Sequence, residues 1–464
     1  MSRLCSSYLA VLTVGCAWLV GGASRLSAQP AEPVKPASAG KPETATPPAG
    51  PQIQELADAA KRFRSGDHDG ALALLKTAAR KYPDLPPAQV LLGNLFAQIN
   101  QLAMVQAALE QAVREAPDDP EAYVIMADLA LQNGRILEAS LLYDKTSSVL
   151  RAFQGSPKRK AAIKTRIEGG LAAVADANKD WAKAQKHLDA VLADEPKNAI
   201  ALLQYGRILF QQNKPDEALE KFRQAAKANA NVMAPEVNLA RLCEQAGDRA
   251  GATKWFVAAI KASPRDLKVR LAAAQWSLDT EQLNQAQDQA DAALKIDADS
   301  LDANFLRGVV AMFLKDYPGA AEYFEKAHAI SPGNFAAGNN LALALAEQDD
   351  AAKKRRALEY AEVNARTFPR QPESFSTLGW VCYKLGRLDD AEKALRQASS
   401  LGRVGPDALY YMARVLVDRQ KKADAAQLLE SALRTPNPFT LRKEAEALLE
   451  ELNKKEEPKK KLAQ

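Results

Sequence analysis

Chemistry in a protein is carried by a few residue types at suitable spacing, and this chain offers few such sets. Its three histidines, His68, His187 and His328, are far apart, and no pair has metal-ligand spacing. No Gly-rich phosphate loop runs into Lys and Ser or Thr, and no Gly-x-Ser-x-Gly turn presents a nucleophile. Asp and Glu number 57, but they fall where helix surfaces need charge. These absences argue against an enzyme. No catalytic, cofactor-binding or metal-binding residue is expected. Of the four cysteines, Cys5 and Cys16 lie near the N-terminus. Cys243 and Cys382 fall at core-facing places and are expected to be buried free thiols acting as small hydrophobes.

Residues suited to recognition are easier to find. Arg207, Arg241 and Arg414 recur at equivalent places in the chain, and arginine forks suit an acidic side chain or a carboxylate. Phe210, Phe305, Phe313, Trp380, Tyr383 and Tyr410 add an aromatic stripe of the kind that anchors an extended or helical peptide. Both sets have a structural alternative. The rings also suit packing between neighbouring helices, and the arginines also suit pairing with acids in the adjacent segment.

The elements that position these residues follow from a period of 34. An alanine, a bulky apolar residue four on and a small residue three further recur along the chain, often followed by a proline. Ala218, Phe222 and Ala225 form one instance; Ala252, Phe256, Ala259 and Pro264 form the next. With that alanine at position 20, units begin at Gln52, Pro86, Pro120, Thr165, Ala199, Met233, Leu267, Leu301, Phe335, Pro372 and Pro406. Arg207, Arg241, Trp380 and Arg414 then share position 9. Within a unit, Leu202, Tyr205, Gly206 and Leu209 mark one face of a helix, Asn213-Lys214-Pro215 breaks it, and Ala218, Phe222 and Ala225 mark a second helix. Small residues at positions 8 and 20 let two backbones approach. A fixed period of this length signals a stacked helical array, because no unit can bury its apolar face alone.

Two interruptions and two flanks complete the organisation. About 11 residues are added near 151–164 and about 3 near 348–356. The first addition is expected as a longer second helix, a loop and a longer first helix beginning near Lys158. In the first unit Arg62 stands where an apolar residue is due, and Phe63 is expected to replace it. Residues 1–28 resemble a secretory signal, with Arg3 before the apolar run Tyr8 to Val20 and small residues after it. An uncleaved membrane anchor, or a lipoprotein built on Cys16, is the alternative. Residues 29–51 are rich in Pro and Ala and read as an extended linker. After the array at 52–439, residues 440–464 read as a capping helix followed by a Lys-rich tail.

Composition agrees with a folded helical chain at 47% hydrophobic and 26% charged residues. The formal charge is +5; losing Arg3 and Arg25 with the signal leaves 60 basic against 57 acidic residues, or +3. That balance does not point to nucleic acid.

The pattern resembles the tetratricopeptide repeat family, of bacterial exported type. Leu92-Gly93-Phe96, Tyr205-Gly206-Leu209 and Leu378-Gly379-Cys382 match its Leu-Gly-Tyr positions, and the Ala-Phe-Ala-Pro series matches its second half. Asn304 to Gly308 resembles the variant with Arg-Gly at positions 7 and 8. The resemblance implies an all-α, right-handed superhelical solenoid of about eleven helix-turn-helix repeats whose first helices line a concave groove. It also implies a peptide or protein partner. The family's chaperone-binding clamp of Lys and Asn is absent, since at position 9 only Asn94 fits. The expectation is a non-enzymatic scaffold, periplasmic or otherwise extracytoplasmic. An assembly component of polysaccharide export or secretion is the alternative. The partner's identity and the oligomeric state are not written in the sequence.

Overall fold

The computed structural model describes residues 53–435 and 438–454. The signal-like segment, the linker and the Lys-rich tail lie outside the described residues. Among the described residues every regular element is a helix, 23 in all. They alternate as first and second members of successive pairs, from Gln54–Arg64 with His68–Lys81 to Pro406–Asp418 with Lys422–Leu433. Arg442–Lys454 follows the last pair and lays Ala445, Leu448 and Leu452 against it. Two compact units are separated after Arg249.

The turn inside each pair repeats in atomic detail. Ten left-handed residues stand one period apart, apart from the two interruptions: Gly66, Asn100, Gly134, Lys179, Asn213, Gly247, Glu281, Lys315, Gly386 and Gln420. The next amide bonds back to a carbonyl near the end of the first helix, as in Asp67 N–H to Arg62 O at 3.0 Å and Asp316 N–H to Ala311 O at 2.9 Å. This arrangement ends a helix by satisfying its orphan carbonyls and needs the left-handed residue to close. Asp67, Asp180 and Asp316 then cap the second helices by accepting from the amides of Gly70, Lys183 and Gly319. The ninth repeat lacks the left-handed residue. Asp350 instead caps a longer second helix, Ala351–Thr367, through the amides of Ala352 and Lys353.

Small residues set how closely the pairs pack. Ala71, Ala139, Ala184, Ala218, Ala252, Ala286, Ala320, Ala357, Ala391 and Ala425 are wholly buried at position 20 or its shifted counterpart; Val105 takes that place in the second repeat. A Cβ on Gly206 would stand 2.5 Å from the Phe222 ring, and one on Gly308 would stand 2.7 Å from Phe324. Glycine is needed there because the partner ring already occupies that space. In the first repeat Phe63 is buried and Arg62 is exposed.

In the first unit, the interruption after the third repeat is built from Ile136–Ala152 and Pro157–Ala177. Arg159 ties it down. Its Nη2 donates to both oxygens of Asp119, at 2.8 and 2.9 Å, and to Glu121 at 3.1 Å, while the guanidinium lies over Phe153. All three polar partners are largely buried, so the extra residues are an anchored part of the array rather than a loose spacer.

Candidate functional site

The first helices of consecutive repeats are joined by one recurring polar bridge. A side chain at position 9 reaches back to position 12 or 13 of the preceding first helix. Arg207 pairs with Asp176 in this way in the first unit. In the second unit, the Trp380 indole N–H donates to Glu347 Oε1 at 2.6 Å, and Arg414 Nη2 donates to the Tyr383 hydroxyl oxygen at 3.2 Å. Asp128, also at position 9, bridges forward instead, to Arg166, and accepts from the Tyr143 hydroxyl at 2.5 Å.

Arg241 occupies the same position and makes no such bridge. The preceding first helix offers Phe210 and Gln211 at positions 12 and 13, neither of them an acid. Its side chain is exposed and has no ion-pair partner among the described residues. Phe210 beside this position is half-buried.

The other candidates gather in the second unit. Trp380 stacks on Tyr383 with centroids 5.1 Å apart and on Tyr411 at 4.4 Å, and meets Tyr410 at a tilt. Lys384 Nζ donates to Glu347 Oε2 at 2.9 Å, so one carboxylate serves both the indole and the ammonium. Burial pushes the hydroxyls of Tyr383, Tyr410 and Tyr411 above the usual phenol range. Trp380 and Tyr410 are buried, whereas Tyr383 and Arg414 are half-buried. Phe305 is half-buried and leans on Phe324 at 5.6 Å; Phe313, also half-buried, packs against the core cluster that includes Leu306 and Val310. The structure therefore brings Trp380, Tyr383, Tyr410 and Arg414 into one cluster and keeps Phe305 and Phe313 apart from it.

Residues outside the aromatic and arginine stripe complete the cluster, namely Glu347, Lys384, Tyr411 and Asp407. Glu347 was legible only by comparing position 9 of the tenth repeat with position 13 of the ninth, and Lys384 only by comparing position 13 of both. The histidines sit in local contacts. His68 stacks on Phe63, His187 Nδ1 lies 2.7 Å from Glu168 Oε2, and His328 meets the Tyr360 ring edge-on. Cys243 and Cys382 are buried and form no disulfide. Among the described residues, no cluster of three His, Cys, Asp or Glu side chains is arranged to hold a metal. No helix there is long and apolar enough to cross a membrane.

The model of the tetratricopeptide repeat family matches residues 106–156, 170–232, 271–335 and 376–438, together just over half of the chain. The chain belongs to the tetratricopeptide repeat family. Proteins built of these repeats serve in general as protein-interaction scaffolds, and the all-α repeat solenoid seen here is their fold. A stretch of 165 residues is 26% identical to cellulose synthase operon protein C of Xanthomonas axonopodis pv. citri. That match spans 36% of this chain and 11% of the relative's length. Among solved structures, a tetratricopeptide repeat protein from Parabacteroides merdae is 13% identical, with a TM-score of 0.38 over 62% of this chain and 99% of that one. A thermophilic repeat protein of Thermus thermophilus is 20% identical, with a TM-score of 0.35 over 40% and 99%. Yeast Tom70 is 15% identical, with a TM-score of 0.34 over 87% and 96%.

Proposed function

We propose that this tetratricopeptide repeat protein is a non-enzymatic scaffold that holds a protein or peptide partner on the faces lined by its first helices. Its place is an extracytoplasmic compartment, supported by the signal-like residues 1–28. The observation that carries the reading is the unbridged Arg241. Elsewhere a position-9 arginine is satisfied by its neighbour, through Asp176 or Tyr383. At Arg241 the preceding first helix supplies no acid, so a carboxylate from outside the chain fits there. In the first unit Arg207 and Phe210 keep partial exposure beside it; in the second unit Phe305, Phe313, Tyr383 and Arg414 keep partial exposure and are separate candidates.

A second reading has its own support. The 26% identity to cellulose synthase operon protein C favours a structural or assembly role in polysaccharide export or secretion. Binding of the full chain to peptide arrays and to cellulose and other glucan polymers separates the two. Peptide binding weakened by Arg241→Glu supports the scaffold reading. Glucan binding with no peptide binding overturns it in favour of the second.

A further inference from the structure

Repeats in a solenoid touch their sequence neighbours, which is why such arrays behave as one-dimensional stacks. One contact in the second unit departs from that rule. Lys315 occupies the left-handed turn position of the eighth repeat, with φ of 61°. Its Nζ donates to the carbonyl oxygen of Thr440 at 2.6 Å, across 125 residues of sequence. The same ammonium stands 2.7 Å from Glu444 Oε1 on the closing helix. Thr440 Oγ1 in turn donates to Asp407 Oδ1 at 2.7 Å. The closing helix is thus fastened to the eighth repeat past the ninth, tenth and eleventh.

Groups from the skipped repeats converge on this clasp. Burial, with the carboxylates of Glu347 in the ninth repeat and Glu444 on the closing helix nearby, raises the hydroxyls of Tyr317 in the eighth repeat and Tyr410 in the eleventh above the usual phenol range. Phe439 and Leu441, which lead into the closing helix, are buried in the same cluster as Trp380, Tyr410 and Tyr411. The chain's own closing segment therefore packs into the cluster that holds the aromatic face.

The fastening is light. Lys315 and Glu444 keep 36% and 37% of their side-chain surface exposed, and ion pairs at such exposure are screened and weak. Glu444 Oε2 is buried without a hydrogen-bond partner. The closing helix has a separate attachment through Ala445, Leu448 and Leu452, all buried against the last repeat. Lys315 lies in a turn, outside the helices on either side of it. Parting the clasp would break no hydrogen bond within a helix.

We propose that Lys315, by gripping Thr440 and Glu444, is a latch that holds the aromatic first-helix face of the second unit shut. Parting the latch separates the eighth repeat from the closing segment and uncovers Tyr317, Trp380 and Tyr410. The existence of two states is independent of any partner; calling the closed one autoinhibitory rests on the scaffold reading above.

Hydroxyl-radical footprinting of the full chain, with no partner present, tests this. In Lys315→Glu, oxidation of Tyr317, Trp380 and Tyr410 is expected to rise several-fold with far-UV circular dichroism unchanged. The charge-swapped double variant Lys315→Glu/Glu444→Lys is expected to return the rates toward those of the native chain. Unchanged rates in Lys315→Glu, or a rise that tracks a loss of helicity, overturn the latch. Should Lys315→Glu fail to fold, Lys315→Met replaces it in a salt series. Rising salt should then increase oxidation of the native chain and leave the Met variant level. A native chain insensitive to salt overturns the proposal.

Discussion

The Trp380 indole N–H donates to Glu347 Oε1 at 2.6 Å, joining the first helices of the tenth and ninth repeats. Lys384 shares that carboxylate at 2.9 Å, and Glu347 is only 12% exposed. Replacing Glu347 with Ala leaves an indole N–H and an ammonium without their acceptor. Orphaned donors of this kind cost about 1–3 kcal/mol. Urea unfolding of Glu347→Ala should show that loss, and Glu347→Gln, which keeps one acceptor for the indole, should show less. Equal stability of all three proteins would mean that the bridge contributes nothing.

Gly206 tests the spacing between the two helices of a repeat. Its Cβ position lies 2.5 Å from the Phe222 ring, which is itself buried. Gly206→Leu forces the ring or the backbone aside, an overpacking cost of about 1–3 kcal/mol or more. A thermal midpoint unaltered by the substitution would contradict the assigned packing.

Arg207 and Arg241 share a repeat position but not an environment. Arg207→Glu sets a second carboxylate against Asp176, which is 14% exposed, so stability should fall at low salt and partly recover as salt screens the repulsion. Arg241→Glu acts on an exposed, unbridged side chain and should change stability by no more than about 0.5 kcal/mol. Its effect should appear in binding of acidic peptides. Calorimetry of both single variants, beside titration with an Asp/Glu-rich peptide, distinguishes a structural arginine from a recognition one.

Asp407 carries a pH dependence of definite sign. Burial raises its carboxyl above the ordinary value of 3.8, outweighing the bonds from Thr440 and the Leu441 amide that favour the charge. A raised acid stabilises the fold fully below its unfolded pKa and loses that contribution as pH rises through the folded value. Asp407→Asn keeps an acceptor for Thr440 without the buried charge. The variant should therefore gain most over the native protein at neutral pH, and the gap should close toward pH 4. A gap that is constant from pH 4 to 7 would show that Asp407 does not titrate differently in the folded state.

The repeat was legible residue by residue because each of its features is local. Helix faces follow from spacing, the break between the two helices from its place in the period, and the tight crossing from Gly206 or Gly308 opposite a ring one helix later. Such interactions are formed within about 34 residues, so a single unit contains both partners. The all-α repeat fold could therefore be read from the chain alone. So could the burial of Cys243 and Cys382, since core-facing places in a repeat are set by its own periodicity.

Contacts between repeats had to await the tertiary structure. Whether Arg207 meets Asp176, whether Trp380 meets Glu347, and whether Arg241 finds an ion-pair partner among the described residues depends on how far one first helix slides past the next. That offset is decided by packing over both helices of each pair and leaves no mark at any one position. Arg159 on Asp119 and Lys315 on Thr440 are further removed still, spanning 40 and 125 residues. Amino-acid types determined what each repeat is. Only the accumulated geometry of several repeats decided which of their surface groups already have partners and which are left open.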